Sequence, residues 1–409
     1  AGSVIKDRSY QDHDSMAIFG KLDFDLSEIM ALSVGLRYTE ENKEMLSTFN
    51  ESIDIPGRTD LNTQAITAVL GIAGHQALAF QGLPHNPALA AGNAAPFLPA
   101  MAVLFKPGWA NCSVSPRLCP RDDLDVLLND SQVTGDVTLT IRPDEQTMYY
   151  GSFSTGYKSG GTNTDRIGFG FAPKFGPEYT ETFELGVKKD FLDPTLRLNL
   201  ALHWTKVDDF QTNTFTGTAF NLQNAGSIDV SGAELELWWL PNDSTSLSLA
   251  WTFTEAEFNT FKAGNCQLAN MFHTGALSEA VQNATKGYCD RSGDRVGGVS
   301  DNHVVFNASK RIQLGSGNEA FFGGEYIYYS DMMMHNNNDP FALQKGVGLM
   351  NIRAGVTLPD SGVDVTFWVR NADDERWHGT VFDAPLQTGK LGTYPREGRT
   401  AGLSVRKSF

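Results

Sequence analysis

Apolar and polar residues alternate along most of this chain. This is the period of a β-strand, because successive side chains of a strand point to opposite faces. In the stretch LRLNLALHW, one face carries the apolar side chains of Leu196, Leu198, Leu200, Leu202 and Trp204. The same alternation occurs in AELELWW from Ala233 and in VDVTFWVRN from Val363. The repeated period of two predicts an all-β chain.

The alternating pattern predicts thirteen strands, most of them about ten residues long, which is enough to cross a bilayer when a strand is tilted. The predicted strands span residues 15–24, 29–39, 132–142, 147–157, 180–191, 196–207, 229–240, 246–257, 302–312, 319–329, 348–358, 363–373 and 397–409. Short connections with turn-forming residues, such as LDPT at 192–195, alternate with long ones. The long connections span 40–131, 158–179, 208–228, 257–301, 330–347 and 374–396. An antiparallel meander with tight turns at one end and long loops at the other is the layout of an outer-membrane β-barrel.

A soluble β-sandwich with one face in its core also shows alternation, but it does not account for the strict succession of short and long connections. Aromatic residues near the strand ends match the interfacial girdles of a barrel, namely Tyr38, Tyr149, Tyr157, Trp204, Trp239 and Tyr328. We therefore predict an antiparallel transmembrane β-barrel. Its outward, lipid-facing set includes Leu198, Leu235, Phe367 and Val405.

The last predicted strand ends on Phe409, and we interpret it as the closing strand, because a barrel in lipid leaves no strand edge unpaired. Bacterial single-chain barrels have even strand numbers, whereas the count here is thirteen. The sequence also begins without the basic and apolar segments of a signal peptide. We therefore expect further strands upstream of Ala1.

Composition narrows the class of protein further. The 409 residues carry a formal net charge of −16, which disfavours nucleic acid as a partner. The sequence has no apolar run long enough for a membrane helix, which still permits barrel strands. Four cysteines allow three pairings. We favour the two local pairs, Cys112–Cys119 and Cys266–Cys289, which imply an oxidising compartment; free loop thiols are the alternative.

Several stretches resemble the TonB-dependent outer-membrane receptors. YGSFSTGYKSGGTN (150–163) resembles their strand leading into a Gly-rich external loop, and PEYTETFELGVKKDF (177–191) resembles the strand that follows. LQNAGSIDVSGAELEL (222–237) resembles their Asn-Ala-Gly and Gly-x-Glu-x-Glu motif. VRNADDERW (369–377) with REGRTAGLSVRKSF (396–409) resembles their closing hairpin. Together these stretches cover most of 130–409.

The resemblance implies a barrel of 22 strands, of which the thirteen predicted here are the last. It also implies that a plug domain and a TonB-contacting segment lie upstream of Ala1. On this interpretation, residues 1–409 are the C-terminal portion of the barrel domain, and 40–131 is a long extracellular loop insertion within it.

No motif argues for catalysis, since the metal-ligand spacings, GxSxG and phosphate-binding motifs of enzymes are not found in the sequence. No cofactor or metal is predicted. The unusual stretch DMMMHNNNDP (331–340) contains soft and nitrogen ligands that suit copper or haem, but we favour a loop that contacts ligand or neighbouring loops. The charged side chains that face inwards could attract an anionic chelate or contact a polar plug. We favour the plug, because most of the wall of a plugged barrel faces it. The candidate ligand-binding residues are Tyr157, Lys158, Asn163, Met333, His335, Asn337, Arg353 and Arg370.

The resemblance implies a receptor in the outer membrane of a Gram-negative bacterium that takes up a scarce ligand, such as a ferric siderophore or a similar iron chelate. The implied partners are outer-membrane lipid and lipopolysaccharide, the small-molecule ligand, and the TonB complex acting through the upstream region. Two other functions stay open, namely a passive porin or fatty-acid-type channel and a structural barrel with adhesive surface loops. An upstream plug with a TonB-contacting segment would distinguish the receptor from both.

Overall fold

The alternating sequence forms one antiparallel sheet of thirteen long strands, in which each strand pairs with the next long strand along the chain. The structure is a computed structural model, and it describes residues 3–53, 123–164, 172–191, 195–215, 220–267, 289–384 and 390–408. The long strands are β1 (Ser3–Ser27), β2 (Met30–Ile53), β3 (Leu124–Asp144), β4 (Thr147–Lys158), β7 (Glu178–Phe191), β8 (Leu196–Asp208), β11 (Ser227–Asn242), β12 (Thr245–Thr260), β13 (Asn302–Gln313), β14 (Glu319–Tyr329), β17 (Val347–Leu358), β18 (Val363–Arg370) and β21 (Thr400–Lys407). The predicted all-β class and the thirteen predicted strands are confirmed.

Short two-stranded hairpins lie in four of the long connections. They pair β5 (Gly161–Thr162) with β6 (Lys174–Phe175), β9 (Gln211–Phe215) with β10 (Phe220–Asn224), β15 (Met332–Met333) with β16 (Leu343–Gln344), and β19 (His378–Asp383) with β20 (Leu391–Pro395). We call the end of the sheet that carries these connections the loop end, and the opposite end the turn end.

Register places the predicted outward residues on a single face of the sheet. Leu235 is paired with Leu200 on one side and with Trp251 on the other, so apolar side chains meet across neighbouring strands. At the far side of the sheet Phe367 and Val405 share this face and are 52% and 64% exposed. A continuous exposed apolar face is what a lipid-facing barrel wall requires. The other face, which we call the inner face, carries most of the charged residues of the strands.

The boundaries of the predicted loop at 40–131 are wrong at both ends. β2 continues to Ile53 and β3 begins at Leu124, and the two strands remain paired as far as Ser47 and Leu124. The run Glu40–Glu44 is polar on both faces, so hydrophobic alternation disappears there while the backbone ladder continues. Main-chain pairing with β1 and β3 sustains this extension, together with side-chain contacts such as that of Lys43 with Ser159. The extension projects beyond the length that a membrane-crossing strand needs.

Strand ends elsewhere follow backbone geometry. β18 stops at Arg370, three residues before its predicted end, because Asn371 adopts a positive φ of 49° that breaks the extended conformation.

Within the described parts of the chain, no helix is long and apolar enough to cross a membrane. The short 3₁₀ helices described are Gly315–Gly317, Pro340–Ala342 and Pro359–Ser361.

Candidate ligand-binding site at the loop end

The long connections pack together around a small hydrophobic core at the loop end. Phe258 and Phe261 are 0% and 2% exposed, and their ring centroids lie 4.8 Å apart. Ala225 and Ile228, on the chain entering β11, complete this core. The core therefore joins the mouth of the barrel to its connections. We call the described parts of the connections after β4, β8, β12, β14 and β18 the loop cluster.

A disulfide bond closes the connection that follows β12. Cys266 and Cys289 are bonded, with their Cα atoms 5.1 Å apart. Gly264 and Cys289 exchange backbone hydrogen bonds of 2.9 and 3.0 Å beside it. This confirms one of the two predicted pairs, whereas Cys112 and Cys119 lie outside the described residues. The cross-link limits the conformations of this connection and so helps to keep it docked.

The stretch at 331–340 is held against the disulfide-bonded connection by buried polar groups. Arg291 is 4% exposed, and its Nη1 donates to the carbonyl oxygen of Asn337 at 2.8 Å. Asn337 is fully buried, and its Nδ2 donates to the carbonyl oxygen of Cys266 at 3.3 Å. Asn337, predicted as a ligand contact, therefore serves in this structure to join two connections and has no exposed surface to offer a ligand.

His335 and Asp383 form a largely buried pair between the connections after β14 and β18. His335 Nε2 lies 3.8 Å from Asp383 Oδ2, and its Nδ1 accepts the N–H of Asn337 at 3.2 Å. Burial raises the pKa of the Asp383 carboxyl, and nearby Asp339 adds to this while His335 opposes it. Met333 lies in the hairpin beside this pair, and its carbonyl oxygen accepts the N–H of Gly298 at 2.6 Å.

The end of β4 faces the long extension of β2. The hydroxyl of Tyr157 donates to Glu41 Oε1 at 3.2 Å. Glu41 lies on the face of β2 opposite Tyr38, which is 42% exposed on the outer face. Tyr157 keeps the outward phase of Tyr149 and Phe153 in the register of β4 and β7, so its place in an interfacial girdle stays a prediction, and Glu41 accepts its hydroxyl. Lys158 follows with an exposed side chain.

Asn163 links the first connection to the hairpin of β9 and β10. Its Nδ2 donates to the carbonyl oxygen of Leu222, and its Oδ1 accepts the N–H of Leu222, both at 2.8 Å. Asn163 is 8% exposed, so its amide is occupied by backbone partners. Gln211 makes a second link through its Nε2, which donates to Ser159 at 3.0 Å and to Gly176 at 2.9 Å.

A cavity of about 630 Å³ on the inner face contains the two predicted arginines. Arg353 stands directly opposite Trp368 in the register of β17 and β18, and the guanidinium carbon of Arg370 lies 5.0 Å from the centroid of the Trp368 ring. A side chain at Gly323 would collide with Arg353, so this glycine provides room for it. Trp238 lines the same cavity. The combination of guanidinium and indole groups suits a ligand that is both anionic and flat.

Stacked rings occupy the boundary between the inner face and the loop cluster. The rings of His303 and Tyr329 are parallel within 6°, with centroids 4.4 Å apart. Tyr329 stacks in turn on Trp377 at 5.6 Å, and the guanidinium carbon of Arg396 lies 5.3 Å from the Trp377 ring. In the described ranges, no group of three or more His, Cys, Asp or Glu side chains is arranged to hold a metal ion.

The predicted ligand-binding residues therefore do not form a single site. Arg353 and Arg370 share one cavity, and His335 and Asn337 share the buried polar cluster, whereas the residues after β4 belong to other contacts. Trp238 and Trp368 were missed, although each occupies a polar-phase position of an alternating strand, which is a detectable signal. Arg291, Asp383 and Trp377 lie in the long connections and carry no such signal.

An antiparallel barrel wall with an apolar outer face, a charged inner face and a packed set of loops at one end defines an outer-membrane β-barrel. The family described as "TonB dependent receptor-like, beta-barrel" matches residues 2–372. The chain belongs to this family, whose members are receptors and transporters of the outer membrane, and the outer membrane is accordingly its location.

The individual relatives share little sequence identity with this chain. The chain is 26% identical over 166 residues to the probable TonB-dependent siderophore receptor PiuA of Acinetobacter baumannii, a match that covers 38% of this chain and 22% of that protein. The ferric yersiniabactin uptake receptor FyuA of Yersinia pestis has a TM-score of 0.66 at 15% identity over 99% of this chain and 47% of its own. The structure of PiuA gives a TM-score of 0.60 at 15% identity over 97% and 43%. These structures show a common fold, and the chain spans less than half the length of each.

Proposed function

We propose that this chain forms part of the barrel of a receptor that takes up a ferric siderophore or a similar iron chelate across the outer membrane. In this proposal, the loop cluster captures the chelate, and the TonB complex supplies energy through a region outside these 409 residues. Uptake involves no chemical step on the ligand. Discrimination between ligands would therefore depend on contacts in the loop cluster and on the inner face.

The observation that carries the proposal is family membership together with relatives named as siderophore receptors. The geometry is consistent with it. Buried links join the connections after β4, β8, β12, β14 and β18, so the loop cluster is ordered before a ligand arrives, which reduces the entropic cost of binding. Arg353 and Arg370 then offer cationic groups on the inner face to an anionic chelate.

The exposed and half-buried members of the predicted set are the better candidates for direct contact. Lys158 has an exposed side chain at the end of β4, and Arg353 and Arg370 line the open cavity. His335 retains 13% side-chain exposure beside Asp383. We propose these four as ligand contacts, with Asn163 and Asn337 as residues that position the connections around them.

The test uses the complete receptor that contains this chain. Binding of hydroxamate, catecholate and mixed ferric siderophores is measured by fluorescence quenching, and radio-iron uptake is compared in cells with and without TonB. We expect one class of chelate to bind and its uptake to require TonB. Uptake that continues without TonB would favour a passive channel, and failure to bind any ferric chelate would refute the proposal.

Residue roles are tested by a matched set of substitutions. Arg353→Gln with Arg370→Gln should weaken chelate binding about tenfold, because charge-assisted hydrogen bonds are lost. Arg197→Gln serves as the control, since this arginine lies on the same face but is paired with Asp190 at 2.5 and 2.8 Å towards the turn end. Equal effects of both changes would argue against a direct role for the cavity.

A further inference from the structure

Trp238 departs from the polar character of the inner face. The inward positions before it in β11 are Glu234 and Glu236, whereas Trp238 is an indole that is 42% exposed. Its neighbour Trp239 points outwards and fits the aromatic girdle of the wall, which does not account for Trp238. In the part of the chain that the structure describes, Trp238 has no hydrogen-bond or ring partner. Its N–H group and its ring are therefore both open to a ligand.

Arg353 approaches the same cavity from the opposite side. It is paired in register with Gly323 of β14, and its side chain lies across that glycine, where a Cβ would be 2.9 Å from Arg353 Nε. Gly323 is in turn opposite Ser309 of β13, so the guanidinium group is directed over the sheet towards β11. Among the described residues, this guanidinium has no ion-pair or hydrogen-bond partner.

Small polar side chains form the floor between the indole and the guanidinium group. Ser246 and Ser309 are paired in register, and their hydroxyl oxygens lie 2.7 Å apart. Ser248 is directly opposite Trp238. Trp238 and Arg353 belong to strands that are four places apart in the sheet, so about 19 Å separates their backbones. Both side chains line the one cavity of about 630 Å³, which leaves space for a ring-bearing ligand between them.

The charge of the cavity favours an anion. Its lining carries the guanidinium groups of Arg353 and Arg370 and a single carboxylate, that of Glu325. Glu325 is hydrogen-bonded to a neighbouring amide at 2.7 Å and forms no ion pair with either arginine. On the other flank of the indole, Arg197 is neutralised by Asp190. The excess positive charge therefore lies on the cavity side.

We propose that this cavity selects iron chelates whose metal-binding groups are aryl oxygen anions, such as catecholates or phenolates, over aliphatic chelates. The aryl ring stacks on Trp238 beside Leu240, which is 50% exposed, and the anionic oxygens accept N–H groups of Arg353. An aromatic pair is favoured beyond the burial of its area, and a guanidinium group offers paired donors to an oxyanion. This inference rests on the proposed uptake of an iron chelate and names the class of that chelate.

The test compares three synthetic ferric chelates for binding to the complete receptor that contains this chain, by equilibrium dialysis with radio-iron. A tripodal tris-catecholate and a tris-oxalate carry the same negative charge, but only the first has aromatic rings. A tripodal tris-hydroxamate is neutral and aliphatic. We expect the unaltered receptor to bind the tris-catecholate most tightly and the tris-hydroxamate least tightly.

Substitutions separate the ring from the charge. Trp238→Leu should weaken binding of the tris-catecholate roughly 2- to 12-fold and leave the tris-oxalate unchanged, because it removes a ring but no charge. Trp238→Phe should retain most of the binding, since it keeps a ring. Arg353→Gln should weaken both anionic chelates. The matched control is Trp239→Leu, which removes the neighbouring indole from the outer face and should change neither.

Heat-modifiable migration on gels verifies that each variant is folded. The inference is overturned, while the proposed uptake stands, if the tris-oxalate or the tris-hydroxamate binds the unaltered receptor as tightly as the tris-catecholate does. The same conclusion follows if folded Trp238→Leu binds the tris-catecholate normally, or if Trp239→Leu weakens it equally. Failure of all three chelates to bind would overturn both the inference and the proposed function.

Discussion

Arg291 provides a sharp test of how the loop cluster is held together. Its guanidinium group is buried between the disulfide-bonded connection and the stretch at 331–340, and it donates to the carbonyl oxygen of Asn337 at 2.8 Å. It also lies 3.1 Å from Asp294, whose side chain is 34% exposed. Replacement by methionine keeps the length and most of the volume of the side chain while it removes these polar contacts.

The expected cost follows from those contacts. A hydrogen bond from a charged donor is worth about 1.5–3 kcal/mol when its buried acceptor is left without it. The ion pair with the half-exposed Asp294 adds roughly 0.5 kcal/mol, since solvent screens it. We therefore expect Arg291→Met to lower the free energy of opening the loop cluster by about 2–3.5 kcal/mol, which corresponds to a roughly 30- to 300-fold larger equilibrium constant for opening.

Native-state hydrogen exchange of the oxidised receptor measures this opening, with peptides that cover 289–298 and 335–342. The matched control is Arg295→Met, because Arg295 lies 2.7 Å from Asp301 but is 46% exposed. An exposed ion pair is worth about 0.2–1 kcal/mol, so the control should change exchange by no more than about fivefold. If Arg291→Met exchanges no faster than Arg295→Met, the buried contact does not hold the loop cluster together.

Three other outcomes are expected. Leu200→Arg should destabilise the barrel in vesicles by about 2–4 kcal/mol, and Asn199→Arg by less; equal urea midpoints would contradict the assignment of faces. Replacing Cys266 and Cys289 by serine should increase proteolysis of the connection after β12, and unchanged cleavage would show the cross-link to be dispensable. Because burial raises the pKa of Asp383, intrinsic-rate-corrected exchange around 378–384 should quicken as pH rises through that pKa, and Asp383→Asn should abolish the step; a pH step that persists in the variant would exclude this carboxyl.

The barrel wall was predictable because its constraint is local. A residue such as Leu235 must be apolar to face lipid, and Glu234 and Glu236 beside it must face inwards. The period of two can therefore be recognised in the sequence itself. The prediction ended the strand too early, at the point where contact with lipid no longer requires alternating apolar residues. Beyond the lipid, the extension of β2 through Glu40–Glu44 is held by main-chain pairing with β3, which leaves no hydrophobic period to detect.

The loop cluster was less predictable because its contacts join distant segments. The odd composition of 331–340 identified a stretch worth attention, and the local spacing of Cys266 and Cys289 identified their pairing. Neither feature indicated that Arg291 would be buried between them, since its contact with Asn337 spans 46 positions of sequence. A single charged residue in a polar connection has the same appearance whether it is buried or exposed, as Arg291 and Arg295 illustrate.

The way in which this loop cluster is stabilised has a consequence for its function. Asn221, Asn337 and Asp339 are each fully buried, whereas the apolar core beside them is centred on Phe258 and Phe261. A buried polar group is stable only when its hydrogen bonds are made, so such contacts fix one arrangement of the connections more narrowly than apolar packing does. Capture of a scarce ligand, as proposed above, would benefit from this, because a mouth already ordered loses less entropy on binding. We therefore expect substitutions that loosen the buried polar contacts to weaken ligand capture even where no ligand contact is removed.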